Sequence, residues 1–161
     1  MDRLWSPWRM EYMDVAGKSE GCVFCNHLAE DDDVAANILH RGEACFVILN
    51  AFPYNTGHLM VSPIRHVGEL TDLSHAERHE LVELMCRSVE VIGAAMKPEG
   101  FNTGMNLGAA AGAGIPGHLH MHVVPRWGGD TNFVPVVAHT KDLPETLADT
   151  AAKLRPGFTA L

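Results

Sequence analysis

The 161-residue sequence predicts an α+β fold, and three observations carry that reading. A long apolar stripe with helical spacing follows a capping signal at Ser74. Short runs of β-forming apolar residues are separated by turns rich in Gly, Pro and Asn. The stretch HLHMHVV, from His118 to Val124, alternates polar and apolar residues with the period of a strand. Strands flanking one long helix, with no internal repeat or low-complexity linker, describe a single domain over residues 1–161. A chain of this length can bury a real core.

Each element follows from local chemistry. Residues 1–20, rich in Trp and Arg, read as an N-terminal arm, and Glu30–Asp33 as a solvated turn. Ala44–Asn50 (ACFVILN) is a short apolar run of β-formers, the pattern of a buried strand. AFPYNTG then turns the chain, and His58–Pro63 returns as an antiparallel neighbour. Ser74 and Glu77 form a capping box, each side chain satisfying a free amide at a helix start. Leu81, Leu84, Met85, Ser88, Val89, Ile92 and Met96 follow as one stripe, and Lys97-Pro98-Glu99-Gly100 stops it. Phe101–Leu107 reads as a strand, followed by the small-residue loop GAAAGAGIPG. The next strand is His118–Pro125, ended by Pro125, which has no amide hydrogen to donate. Residues 143–161 read as a C-terminal helix and tail. Cys45 and Cys86 read as buried small apolar residues.

Composition bounds the function. With 47% apolar and 20% charged residues the chain reads as an ordinary soluble domain. The formal charge is −8 and the pI about 5.6, which argues against a general nucleic-acid surface built on basic patches. No apolar run approaches a membrane span, and MDRLWSPWRMEYM lacks the apolar core of a signal peptide. A cytoplasmic location is expected.

His118, His120 and His122 carry the chemistry. On a strand, residues i, i+2 and i+4 share a face, so the three imidazoles point one way and Leu119, Met121 and Val123 point into the core. The outer two Cα positions are roughly 13 Å apart at ~3.3 Å per residue, which strains any single ion bound through ~2.0–2.1 Å zinc–nitrogen bonds. A three-histidine metal site is therefore the weaker reading, and an incidental surface row weaker still. A row facing an extended anion fits better, because imidazole near neutral pH serves as nucleophile or as cationic donor. Gly112 and Gly114 in the preceding loop allow backbone amides to approach a phosphate. Cys22 and Cys25, in CVFC, point to metal binding or redox chemistry in a reducing compartment.

The HLHMHVV stretch resembles the His-φ-His-φ-His-φ-φ signature (φ apolar) of the histidine triad (HIT) superfamily of nucleotide hydrolases and transferases. WSPWR, CVFC, the Asn50-x7-His58 spacing, MNLG and HVVPRWGGDTNF agree with it across most of the chain. The pattern is most similar to the bacterial branch that includes a diadenosine tetraphosphate phosphorylase. This resemblance implies an antiparallel sheet of about five strands with one long helix. It implies that His120 is the nucleophile, attacking an α-phosphate to form a covalent nucleotidyl-imidazole, with His122, His58 and Asn106 around the phosphate. Asn50 falls at the ribose position, Ile48 and Met60 enclose the base, and Gly112 and Gly114 lie in the phosphate loop. The acceptor, water or inorganic phosphate, stays open. Here the chain departs from many relatives: Ala113–Gly117 carries no hydroxyl or amide side chain, so backbone amides would take that place. The resemblance further implies a structural zinc held by Cys22, Cys25, His66 and His118, no organic cofactor, and a homodimer; His27 is a spare candidate ligand, and empty buried thiols or a redox pair are the alternatives to zinc. Two other classes compete with the enzyme: a nucleotide-binding sensor with weak phosphoramidase-type activity, and a hydrolase with catalytic metal on the histidines.

Overall fold

The structure is a computed structural model that describes residues 21–130 and 143–159. The arm at residues 1–20, with Trp5 and Trp8, and His139 lie outside the described residues. Helix α1 (Val23–Ala29) leads to strands β1 (Ile38–Arg41), β2 (Cys45–Leu49) and β3 (Leu59–Pro63), then the long helix α2 (His75–Met96). Strands β4 (Gly100–Met105) and β5 (Met121–Arg126) follow, and helix α3 (Leu147–Phe158) comes last. The five strands form one sheet in the order β1-β2-β3-β5-β4, antiparallel at every pairing. The expected α+β class and five-stranded antiparallel sheet are what is found.

Alternation along the strands gives the sheet two unlike faces. Leu49, Leu59, Leu119, Met121 and Val123 pack on one side with Leu81, Leu84 and Ile92 of α2 and with Leu154 and Phe158 of α3. Ile38, Phe46, Ile48 and Met60 pack on the other side with Phe24 of α1. The α2 stripe is buried at Leu81, Leu84, Ser88, Val91 and Ile92. Cys86 lies on the opposite side of that helix and is exposed, contrary to expectation, whereas Cys45 is buried as expected. Two residues beyond Leu84, at 100° per residue, the side chain points away from the core.

The capping box forms: the Glu77 amide donates to Ser74 Oγ at 3.1 Å, and the Ser74 amide donates to Glu77 Oε2 at 2.7 Å. Arg65 adds two bonds to the same carboxylate, each 2.9 Å. Arg65 first, and then the Ser74 amide, hold the Glu77 carboxyl well below its usual range, at about 2. A depressed carboxylate stabilises the fold above its unfolded pKa of 4.5 and loses that contribution as pH falls towards 2. Glu77→Gln is therefore expected to lower stability by about 1–2 kcal/mol at pH 7, allowing for the solvent-exposed Arg65. The loss should shrink as pH falls through 4.5 and vanish only below about 2; urea midpoints followed from pH 7 down to that range check this.

Two elements differ from expectation. The ladder of β5 begins at Met121 rather than His118. Before it, the Leu119 amide donates to Val67 O at 2.7 Å, and Ser62 Oγ donates to Leu119 O at 2.7 Å. The groups that would have extended the β3 ladder are thus committed elsewhere, although His118 and His120 keep the alternation. Pro125 also lies inside β5, opposite Phe101. It is tolerated because β3 pairs no further than Val123, leaving β5 bonded on one side only at that point. Among the described residues, no helix is long and apolar enough to cross a membrane.

Candidate functional site

On the α1 side of the sheet, one row of residues crosses all five strands. Ile38 opposes Ile48, Ile48 opposes Met60, Met60 opposes His122, and His122 opposes Gly104. Directly opposed residues share a face, so Ile48 and Met60 form an apolar floor running up to His122. Gly104 has no side chain, and a Cβ placed there would meet nothing within 4 Å. The sheet therefore leaves open space beside His122. Asn106 lies one step beyond the Met105–Met121 pair, alongside His120.

Backbone partners set the tautomer of each ring. A carbonyl only accepts, so the 2.8 Å contact from His120 Nδ1 to His118 O puts the proton on Nδ1. Among the described residues no partner takes His120 Nε2, which keeps its lone pair. The Tyr54 amide donates to His58 Nδ1 at 3.0 Å, so His58 carries its proton on Nε2 and donates it to His122 Nδ1 at 2.9 Å. His122 in turn is protonated on Nε2. The rings of His120 and His122 stand edge to face, with centroids 5.0 Å apart.

Burial lowers the pKa of His120, with the bond to His118 O acting against it. Burial also pushes His58 down to about 3, helped by the neighbouring His122 and His120. His58 is expected to stay neutral from pH 8 to 5. The sign follows: a histidine with a lowered folded pKa costs nothing above 6.5 and destabilises the fold increasingly as pH falls from 6.5 towards 3. An imidazole-selective NMR titration checks this, and a His58 midpoint near 6.5 is the contrary result.

Asn50 is buried beside His58. Its Oδ1 accepts from the Phe52 amide at 2.9 Å, and its Nδ2 lies 3.3 Å from His58 Nδ1. The loop between β4 and β5 folds back on itself, with Asn106 Nδ2 donating to Gly112 O at 3.5 Å. Gly108 and Gly112 adopt φ of 78° and 85°, the left-handed region that glycine enters without strain. Gly114 lies in the same loop, before the half-buried Ile115 that packs on the α1-side cluster.

Cys22, Cys25, His66 and His118 converge at the edge of this site, with their ligand atoms all within 4.8 Å of one another. Cys22 Sγ is 3.2 Å and Cys25 Sγ 3.6 Å from His118 Nδ1, and Cys25 Sγ is 3.4 Å from His66 Nδ1. Tetrahedral bonds of ~2.0–2.3 Å put neighbouring ligand atoms about 3.3–3.8 Å apart, so the group fits a metal ion. His118 Nε2 donates to Pro63 O at 2.8 Å, fixing the tautomer that turns the Nδ1 lone pair towards the thiols. Without a cation, burial first and then Cys22 raise the Cys25 thiol above its usual value. The spare candidate His27 is not in the group; its Nδ1 faces Glu30 at 3.5 Å.

The sequence reading missed several neighbours. Phe24, inside CVFC, sits with ring centroids 5.1 Å from His118 and 5.2 Å from His120, walling both. Tyr54 lies over the other pair, 4.6 Å from His58 and 5.7 Å from His122. Aromatic residues interrupting CVFC and the AFPYNTG turn were the available signals. Periodicity gives them no partner.

Comparison with known proteins bears on the family and the fold. A family model described as HIT domain matches residues 32–129. The AP-4-A phosphorylase of Mycobacterium tuberculosis is 40% identical over 157 residues, covering 93% of this chain and 80% of that relative. The asymmetrical bis(5'-nucleosyl)-tetraphosphatase of Schizosaccharomyces pombe is 30% identical over 93 residues, 58% of this chain and 50% of that one. A hypothetical histidine triad nucleotide-binding protein of Sulfolobus tokodaii superposes with a TM-score of 0.67 at 24% identity, covering 87% of this chain and 93% of that one. A zinc-bound histidine triad family protein of Mycobacterium smegmatis gives 0.63 at 21% identity, covering 94% and 96%. These two structural likenesses speak for the fold.

Proposed function

The chain belongs to the histidine triad family, and from that premise we propose that it is a nucleotidyl transferase acting on a dinucleoside polyphosphate. The observation that carries the reading is the open Nε2 of His120, whose ring is held through Nδ1 by the His118 carbonyl and stands 5.0 Å from that of His122, itself beside the open space at Gly104. In the first step Nε2 attacks an α-phosphorus in line, forming a nitrogen–phosphorus bond. The bridging phosphorus–oxygen bond breaks, its electron pair leaves with the nucleoside polyphosphate as an anion, and the His120 ring carries the balancing positive charge until the second step. The Nε2–H of His122 faces the charge that develops on the phosphoryl oxygens, and His58 holds His122 in that form. In the second step the acceptor takes the nucleotidyl group and frees His120. Splitting one displacement in two in this way makes each step easier.

The 40% identity to an AP-4-A phosphorylase supports inorganic phosphate as acceptor, giving ADP and ATP from diadenosine tetraphosphate. Asn50, Ile48 and Met60 would line the nucleoside, and Asn106, Gly112 and Gly114 the phosphate loop. Cys22, Cys25, His66 and His118 would hold zinc. Four protein ligands leave no open position, so the ion would cross-link the chain rather than take part in transfer. The working form is proposed to be a cytoplasmic homodimer, as the resemblance implies. The deciding assay runs the purified chain on diadenosine tetraphosphate with and without phosphate. ADP plus ATP only when phosphate is present is the expected result. AMP plus ATP in both conditions makes it a hydrolase, and no turnover in either favours a nucleotide-binding role.

A further inference from the structure

The WGGD segment after the histidine row takes no part in the chemistry described above, yet it is wired to it. Gly129 at φ 79° folds Asp130 back under β5. There its carboxylate accepts from Arg126 Nε and Nη2 at 2.6 and 2.8 Å and from the Trp127 amide at 3.2 Å. Its Oδ2 also accepts from Asn55 Nδ2 at 2.6 Å, and the same Asn55 nitrogen donates to Pro125 O at 3.1 Å. Asn55 and the Asp130 side chain are both buried, 7% and 9% exposed.

Asn55 sits at the tip of the turn that carries Tyr54. Its carbonyl accepts from the His58 amide at 3.0 Å, closing a tight turn in which Gly57 takes φ 82°. The Asn50 amide closes the base of the loop by donating to His58 O at 3.0 Å. With base and tip both tied, the Tyr54 amide is left aimed at His58 Nδ1. That bond, the shorter of two on this nitrogen beside the Asn50 Nδ2 contact at 3.3 Å, favours the Nε2–H form of His58, which donates to His122.

We propose that Asp130 and Asn55 are positioning residues that hold the 50–58 loop so that the Tyr54 amide fixes the tautomer of His58, and through it that of His122. Neither residue touches the reacting atoms. This rests on the proposed nucleotidyl transfer for its kinetic consequence, but its structural half is independent of any substrate.

The test uses the full chain with Asn55→Ala, Asn55→Ser, Asp130→Ala and Asp130→Asn. Imidazole nitrogen NMR of the unliganded proteins should show His58 as the single Nε2–H tautomer in the parent and as a mixture in both Asn55 variants and in Asp130→Ala. Asp130→Asn, which keeps an acceptor for Asn55, should restore most of the parent signature. On diadenosine tetraphosphate, kcat should fall about tenfold or more in the variants with a mixed tautomer, while KM holds. A single unchanged tautomer in a folded Asn55 variant overturns the proposal, whatever its activity. Loss of the fold in both Asn55 variants also overturns it, since the pair would then be structural. If the tautomer shifts as expected but the parent shows no turnover, the functional reading fails and the positioning role stands.

Discussion

His120→Ala is expected to lose turnover on diadenosine tetraphosphate by on the order of 10⁴–10⁶-fold, the range seen when a covalent nucleophile is deleted. Nucleotide affinity should change little. The His120 ring supplies the attacking lone pair, whereas the apolar floor of Ile48 and Met60 and the loop around Gly112 are untouched by the substitution. In the parent, rapid quenching at alkaline pH should trap a nucleotidyl adduct on His120, because a phosphorus–nitrogen bond is acid-labile. Absence of the adduct together with near-parental turnover by the Ala variant would remove the mechanism altogether. A second informative result is adduct formation without release when phosphate is withheld, which identifies phosphate as the acceptor of the second step.

Cys22→Ser is expected to give the other large effect, on stability. Replacing one thiolate of a four-ligand set should release about one zinc per chain and cost several kcal/mol, since binding energy at a structural site is folding energy. At ~2–4 °C per kcal/mol for a chain of this size, that is a fall in Tm on the order of 10 °C. Strong chelators should do the same to the parent, with activity lost only in step with unfolding. Loss of turnover at a temperature where the apo chain is still folded would instead mean that the ion serves the reaction. Metal-free protein with unchanged Tm would remove the site. The location of the effect is also specified: Cys25 and Phe24 share helix α1, so metal loss should loosen the wall beside His120 first.

Much of the site could be read in the chain. The alternation of HLHMHVV put three imidazoles on one face, and the structure places Leu119, Met121 and Val123 in the opposite core. The capping box at Ser74 and the stop at Lys97 bounded the long helix at both ends. The Asn50-x7-His58 spacing proved to be a closed loop with both ends bonded. Strand β1 escaped notice because ILHR has no alternation of its own; it is a strand because β2 offers it a partner. Helix α1, seven residues long and with no side-chain cap at Cys22, is below the length at which periodicity can be read.

Local sequence by itself determined which faces are apolar, where the long helix begins and ends, and which residue types could do phosphate chemistry or bind a metal. Those properties depend on near neighbours, whose spacing the backbone geometry of helix and strand sets in advance. Only the tertiary structure decided which nitrogen of each imidazole holds a proton. The Pro63 carbonyl, 55 residues away, makes that choice for His118, and the His58 ring, 64 residues away, makes it for His122. It likewise brought Cys22 and Cys25 against His118 and His66, and Asp130 under Asn55. A hydrogen bond needs its two atoms within ~3 Å and aligned, and for groups so distant in sequence only the packed fold supplies that.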